Sequence, residues 1–407
     1  MKEFWALVSF EYRKILGKRS VKIALLLTLF LSVFSIWGTL MGSYYIEGEL
    51  FEANAEAMKK DRAYARELSG RILDDKLLME AADAYQTIPD SAAVYQSTEE
   101  YQKNARKYSS IYSLARQVYD TPNVRFGAPE MGTLDPARAE QFYEVRELCM
   151  TKQIENAPIS ENAKEVMMQY SVEVKEPWIF SYSNGYTRFM TIMATSGVMA
   201  AFVMVICLAP LFAGEYSNHT DQLLLSARYG KGKLIKAKFF TGFSMTGIVT
   251  LLVTLQSYVQ SMLTFGFDGG NANVQIYDAL FPYPLTLKQA ALLQSICVFF
   301  ACMCMSALTM FFSSGMKSAF GVIILSVLLL CVPMFVKVSA YPLLGYLLFH
   351  LMPANMMQYD YIFSMIPYEI AGVVIPPYVM MPVAALCLCI ILIPFAYRGF
   401  KHHQVVS

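Results

Sequence analysis

The sequence predicts an all-helical membrane protein that crosses the bilayer six times and carries one large helical domain between its first two spans. Only 16% of the 407 residues are charged, against about 25% in a soluble domain. Charge-free runs of 19 to 29 residues recur along the chain, and about 20 apolar residues suffice for one helix to cross a bilayer. A β-barrel would instead show alternating segments of about 10 residues. The predicted spans are residues 23–46, 189–214, 239–267, 289–316, 318–336 and 370–397.

Residues 1–22 predict a helix that lies in the membrane interface. Phe4, Val8, Tyr12 and Ile15 share one stripe at helical spacing, as in helices that rest on a bilayer. The basic residues before the first apolar run resemble a secretory signal, but that run has 24 residues, more than a cleavable core of about 7 to 15. We therefore expect an uncleaved signal anchor. The alternative to an interfacial helix is that these residues form an ordinary helical extension of the first span.

The insertion after the first span, residues 47–188, predicts a soluble helical domain. It contains 17 Lys and Arg against 24 Asp and Glu. Residues 49–85 lack proline and show helical periodicity, a second helical pattern opens at Asp90, and a third begins near Asp135, which is followed by proline at the first helical position. Cys149 stands alone in this insertion, so it cannot form an intrachain disulfide there.

Lysine and arginine are distributed unevenly between the two sides of the predicted membrane. With a cytoplasmic N-terminus, 14 of them lie on the cytoplasmic side, against Lys288 and Lys337 in the short outer loops 268–288 and 337–369. Cytoplasmic loops carry such an excess. We therefore expect a multi-pass protein of the cell membrane with both termini in the cytoplasm, the C-terminal tail being residues 398–407.

The stretch 341–357 is apolar enough to suggest a seventh span. It is short, and prolines lie close to both of its ends. Counting it as a span would place the basic C-terminal tail outside the cell. We therefore interpret it as a re-entrant or interfacial segment of the last outer loop.

The loop between the second and third spans, residues 215–238, is the most informative part of the chain. Its five basic residues against two acidic ones place it on the cytoplasmic side. Leu223, Leu224 and Leu225 are too few to enter a bilayer, but they suit a groove on a cytoplasmic protein. The structural alternative is that Glu215 only ends a span and that the lysines only mark the cytoplasmic side.

Motifs for catalysis and nucleotide binding are missing from the sequence. A P-loop requires Gly-x-x-x-x-Gly-Lys followed by Ser or Thr, and the glycine–lysine pairs at 17–20 and 230–233 do not satisfy it. The four histidines form no His-Glu-x-x-His pair for zinc, and the net charge of +1 gives no reason to expect nucleic acid. The charge-free spans also argue against an ion-coupled carrier. We therefore expect no enzymatic activity and no cofactor in this chain.

A pattern of residues runs from the end of the second span through the loop: a Phe, a Glu, a Thr, a run of Leu, a Ser, a basic residue and a final Lys. The matching residues are Phe212, Glu215, Thr220, Leu223, Leu224, Leu225, Ser226, Lys231 and Lys238. With the six spans and the large insertion, this pattern resembles the permease subunits of type-2 ABC exporters. Many members carry Pro where Arg228 stands and Gly where His219 stands.

The resemblance implies a permease that pairs with a second permease, identical or homologous, and binds two copies of a separate ATPase subunit, which would hold ATP and Mg²⁺. The residues implied to couple the ATPase are Glu215, Thr220, Leu223, Leu224, Leu225, Arg228, Lys231 and Lys238. Export is expected, and the spans rich in Met and Phe favour an amphipathic or apolar substrate. A membrane sensor with a ligand-binding ectodomain and a secondary carrier are the alternatives. The substrate itself, whether peptide, lipid, drug or ion, stays open.

Overall fold

The computed structural model describes residues 1–46, 48–89, 94–121 and 125–402 of the chain. The described part is mostly helical and contains two short antiparallel hairpins. The expectation of a helical fold is therefore confirmed. The expected helix start at Asp90 lies outside the described residues.

Two separate helices begin the chain, α1 (Lys2–Leu16) and α2 (Arg19–Met41). Between them Lys18 has an extended backbone with ψ of 129°, so α1 is not a continuation of α2. Val8, Glu11 and Ile15 form the buried stripe of α1. This face packs along the helix that follows the 215–238 loop.

A mostly helical domain, here called the inserted domain, follows α2. It opens with a hairpin of β1 (Ser43–Ile46) and β2 (Glu49–Ala53), which the sequence did not indicate because these residues read as the end of an apolar run and the start of a helix. Short irregular helical turns lie at Tyr95–Ser97, Tyr101–Ala105 and Arg106–Tyr108. Its α-helices are α3 (Asn54–Leu68), α4 (Asp75–Gln86), α5 (Ser109–Tyr119), α6 (Ala128–Gly132), α7 (Pro136–Glu140), α8 (Phe142–Glu155) and α9 (Glu161–Val172).

The helix start predicted near Asp135 is confirmed. Asp135 caps α7, since its Oδ1 accepts a hydrogen bond from the backbone N–H of Arg138 at 2.8 Å. Pro136 is the first helical residue, where its missing N–H costs no hydrogen bond. The helix is only five residues long and α8 follows it closely.

The rest of the chain forms a bundle of apolar helices. A second hairpin, β3 (Tyr368–Ile370) with β4 (Val373–Ile375), precedes the last helix. The helices of this part are α10 (Asn184–Leu208), α11 (Pro210–Ser217), α12 (Asp221–Ser226), α13 (Ile235–Phe265), α14 (Leu287–Gly315), α15 (Ala319–Phe335), α16 (Leu343–His350), α17 (Tyr359–Ile362) and α18 (Pro377–Lys401).

Among the described residues, five helical segments are long and apolar enough to cross a membrane, which indicates a membrane-embedded protein. They are Arg19–Met41, Asn184–Ser217, Gly230–Phe265, Leu287–Gly315 and Pro377–Lys401. The fifth predicted span, residues 318–336, corresponds to α15, an apolar helix of only 17 residues. Helix α16, within the stretch expected to be re-entrant or interfacial, has eight residues and is too short to cross a bilayer.

Helix α10 lies at the centre of the bundle and packs against α13 and α14, while α14 also packs against α18. In the most apolar part of each helix, 67% of the residues are buried for α10 with α11, but only 17% for α2 and 22% for α18. The first and last long helices are therefore peripheral, and α10 with α11 is the most buried of the five segments.

Pro210 separates α10 from α11 without ending the apolar segment. Proline lacks an N–H and disturbs the hydrogen bonds of a helix interior. Here Ser313 of α14 supplies hydrogen bonds to the backbone near the proline. Its Oγ donates to the carbonyl of Ala209 at 2.7 Å and accepts from the backbone N–H of Phe212 at 3.0 Å. Hydroxyl side chains commonly satisfy backbone groups in this way in membrane helices. The chain thus stays helical up to Glu215.

Candidate functional site

The 215–238 loop is folded back on itself between α11 and α13. His219 turns the chain with φ of 54°, in the left-handed region that glycine reaches most easily. Helix α12 follows, and the chain then returns to α13 through a turn at Gly230. A Cβ on Gly230 would lie 1.6 Å from the carbonyl oxygen of Leu224. The turn therefore requires glycine at this position.

Glu215 is the centre of a cluster of charged side chains. Its carboxylate accepts hydrogen bonds from Lys238 Nζ at 2.7 Å, from Thr220 Oγ1 at 2.7 Å and from Lys14 Nζ. Lys238 Nζ also lies 3.0 Å from Glu11 Oε1. We call Glu11, Lys14, Glu215 and Lys238 the Glu–Lys cluster. Its two carboxylates and two ammonium groups balance in formal charge.

Most of the Glu–Lys cluster is removed from solvent. Glu11 is 1% exposed, Glu215 2% and Lys238 0%, whereas the Lys14 side chain is 33% exposed. Burying charges costs several kcal/mol per ion, which only well-placed partners offset. Lys238 has such partners for all three of its protons, because Nζ also donates to the carbonyl of Leu211 at 2.9 Å.

The Glu–Lys cluster joins three helices that are distant in sequence. Glu11 and Lys14 belong to α1, Glu215 to α11, and Lys238 to α13. The two ends of the 215–238 loop are therefore bonded directly to each other and to the N-terminal helix. A displacement of one of these helices would strain the charge pairs to the other two.

A second, exposed set of contacts ties the same loop to the start of α1. Glu3 accepts hydrogen bonds from Tyr229 Oη at 2.8 Å and from Lys233 Nζ at 2.5 Å. The hydrogen bonds from Lys233 and Tyr229 hold the pKa of Glu3 below its ordinary value. Glu3 thus contributes a carboxylate that orients the exposed side of the loop.

The three leucines of α12 point in different directions, because successive residues of a helix are about 100° apart. Leu223 is 74% exposed and Leu224 is half-buried. Leu225 is buried, in an apolar cluster that includes Ile15, Phe212 and Phe400. Leu225 therefore anchors α12 to the bundle, and Leu223 is the leucine most available to another protein.

Of the basic residues predicted for coupling, one is buried in the structure and two are exposed. Lys238 is inside the protein and cannot contact a partner. Arg228 and Lys231 are exposed, and the guanidinium of Arg228 lies over the ring of Tyr229 at 5.4 Å. Among the described residues, no ion pair occupies either side chain. Both residues follow α12 in the chain and lie within eight positions of Leu223.

Glu11 and Lys14 were missed as site residues by the sequence reasoning. Lys14 counted only as a positive charge, and Glu11 was not considered. A signal was present, because Glu11 is three residues after Val8 and four before Ile15, and thus on their helix face. An acidic residue on an otherwise apolar face indicates a buried basic partner.

No known protein family matches the chain, and no curated protein matches it either.

Proposed function

We propose that this chain is the transmembrane permease subunit of an ATP-driven ABC exporter of the type-2 family, energised by a separate ATPase subunit bound at the 215–238 loop. In this proposal α15 is the fifth of six spans, both termini are cytoplasmic, and the inserted domain is outside the cell. Two permease subunits, identical or homologous, would assemble with two ATPase subunits. The substrate would be amphipathic or apolar.

The observation that carries the proposal is the Glu–Lys cluster. A loop that only connects two spans has no need of buried charges, which rarely increase stability over apolar packing. Buried, fully bonded charges do fix one specific arrangement of the helices that hold them. Here they bond the two ends of the loop that carries α12 to each other and to α1. Force applied to α12 would be transmitted to the bundle as rigid-body movement.

The exposed surface of α12 has side chains that suit the binding of a protein partner. Leu223 is an exposed apolar side chain with Arg228 and Lys231 as exposed cations nearby. Binding energy at interfaces concentrates in a few central anchors, and the surrounding charges steer association. The partner that fits has an apolar groove with an acidic rim.

The experiment is purification of the full-length chain from its native membrane, followed by photolabelling with radioactive azido-ATP. We expect the label on a stoichiometric co-purifying subunit and none on this chain. Leu223→Asp should release that subunit, because an unpaired charge would then be placed in the interface. Leu50→Asp is the matched control, since Leu50 is 61% exposed in the inserted domain.

Two results would contradict the proposal. One is the lack of any co-purifying, ATP-labelled subunit, which would favour a sensor or a secondary carrier. The other is an ATP-labelled complex that survives both Leu223→Asp and Leu224→Asp, which would mean that the subunit binds elsewhere.

A further inference from the structure

A cavity of about 560 Å³ lies between α13 and α14, with α10 as its floor. Leu251 and Leu255 of α13 face Leu292, Ile296 and Phe299 of α14 across it. We call this cavity the lateral cleft. The helices touch at its inner end, where a Cβ on Gly247 would lie 3.6 Å from Met303 Cε and 3.7 Å from the Phe299 ring.

The lateral cleft opens sideways, on the surface of the bundle. Leu251, Leu255 and Leu292 are each about 60% exposed, at 59%, 60% and 61%. They lie within helices that are long and apolar enough to cross a membrane. The surroundings of such side chains are hydrocarbon, so an occupant would enter from the bilayer.

One end of the lateral cleft is polar and continues into a second cavity of about 470 Å³. Tyr186 and Lys288 line both cavities. The Tyr186 hydroxyl is 3.5 Å from that of Tyr258. Gly269, Gly270 and Asn271 line the second cavity. The two cavities together form an apolar slot that ends in a polar chamber.

Lys288 gives the polar end a positive charge. Its side chain is exposed, and no carboxylate pairs with it within the described ranges of the chain. Among the residues that the structure describes, no acidic side chain lines either cavity. The neighbouring Asp268 is directed elsewhere, because its Oδ2 accepts a hydrogen bond from Arg66 at 2.6 Å. The charge of Lys288 is therefore available to an anion.

We propose that the lateral cleft is a binding site for an anionic membrane lipid, with an acyl chain between α13 and α14 and the headgroup at Lys288. The apolar walls fit a hydrocarbon chain, the lateral opening admits it from the bilayer, and the single cation selects a negative headgroup. The proposal does not depend on the ATPase, because every residue it uses belongs to this chain and lies away from the Glu–Lys cluster.

The test uses the full-length chain in nanodiscs with phosphatidylglycerol or phosphatidylcholine, each carrying a diazirine on one acyl chain. Peptides of α13 and α14 that carry adducts are quantified by mass spectrometry. We expect about a fivefold preference for phosphatidylglycerol at Leu255 and Leu292, the effect of one basic residue near an anionic lipid surface. Lys288→Gln should abolish the preference and Lys288→Arg should keep it. Lys337→Gln, at an exposed lysine outside the cleft, should also keep it.

A second pair of variants tests the apolar slot. Leu255→Trp fills the lateral cleft and should reduce adducts with both lipids, whereas Leu263→Trp, at a 71% exposed position of the same helix, should not. Equal labelling by the two lipids, or a preference that survives Lys288→Gln, would overturn the proposal. So would adducts that stay unchanged in Leu255→Trp.

Discussion

Lys238 and Glu215 form an ion pair of 2.7 Å in the interior of the protein, although they stand at opposite ends of a loop. Lys238 also reaches Glu11 of the N-terminal helix at 3.0 Å. One ammonium group thus connects the end of α11, the beginning of α13 and the middle of α1. The geometry makes Lys238 a structural residue and leaves contact with a partner to the exposed face of α12.

Replacing Lys238 by an apolar residue should destabilise the protein strongly. Lys238→Met leaves the carboxylates of Glu11 and Glu215 buried with Lys14 as the remaining cation of the Glu–Lys cluster, and breaking a buried pair in this way costs about 3–5 kcal/mol. The measurement is thermal unfolding of the purified chain in detergent. Lys236→Met is the control, because Lys236 is exposed on the same helix and should leave the melting temperature nearly unchanged.

The triple variant Glu11→Gln, Glu215→Gln, Lys238→Met should recover much of this loss, since removing both signs of charge leaves little unpaired charge inside. An undiminished melting temperature in Lys238→Met alone would show that the Glu–Lys cluster does not hold the helices together.

Gly230→Ala should disrupt the turn between α12 and α13. The new methyl carbon would be placed 1.6 Å from the carbonyl oxygen of Leu224, so the backbone must move. Gly232→Ala is the matched control, because no atom lies within 4 Å of a Cβ there. Limited proteolysis should cut the loop faster in Gly230→Ala only. Equal cleavage of both variants would contradict the folded turn.

Acid should loosen the hairpin that begins the inserted domain. Arg106 bonds to Glu52 of β2 at 2.8 Å and to Asp61 of α3 at 2.8 Å. Burial by itself would raise the pKa of Glu52, but the hydrogen bonds from Arg106 and Lys60 hold this pKa below its ordinary value. A carboxylate with a lower pKa in the folded state stabilises it above its unfolded pKa of about 4.3 and loses this effect as the pH falls further.

The measurement is the melting temperature of the protein between pH 7 and pH 3. Glu52→Gln should melt lower than the wild type at pH 7, and the difference should shrink at acid pH. Glu144→Gln, at an exposed position of α8, should follow the wild type throughout. A difference that is independent of pH would rule out the ionised form of Glu52 as the stabilising species.

Single cysteines should report the proposed topology. In a cysteine-free background, cysteines at Ser97 and Asn271 should react with an impermeant thiol reagent in intact cells, whereas one at Ser217 should react only after permeabilisation. All three positions are exposed, so burial does not explain a missing reaction. Labelling at Ser217 in intact cells would reverse the orientation and remove the loop from the cytoplasm.

Charge-free runs located the apolar helices well, because burial in hydrocarbon excludes unpaired charge. They predicted the ends of these helices poorly. Helix α10 begins at Asn184, five residues before the predicted 189, and includes Arg188, whose guanidinium lies 5.8 Å from the centre of the Phe265 ring. Helix α13 likewise includes Lys238. A charge that finds a partner does not end a helix, and a run of uncharged residues cannot reveal that partner.

For the candidate site, too, the sequence predicted one part and not the rest. The pattern in the loop indicated Glu215, which pairs with Lys238 of the same loop. The choice of Lys238 as the partner depends on the packing of α1 against α13, and so does the participation of Glu11. This packing joins residues more than 200 positions apart. That Leu225 rather than Leu223 is buried depends on the packing of α12 against a cluster that includes Ile15, Phe212 and Phe400. Neither the partners of Glu215 nor the burial of Leu225 can be predicted from the local sequence pattern.

The central claim is that α12 touches an ATPase subunit, and a cross-link from Leu223 tests it most directly. A single cysteine at position 223, in a cysteine-free chain, is treated in native membranes with a short cysteine-to-lysine cross-linker, and a cysteine at position 50 serves as the control. We expect one cross-linked species from position 223, to a subunit that binds azido-ATP, and no such species from position 50. Cross-links from position 223 to lipid or to this chain alone would contradict it.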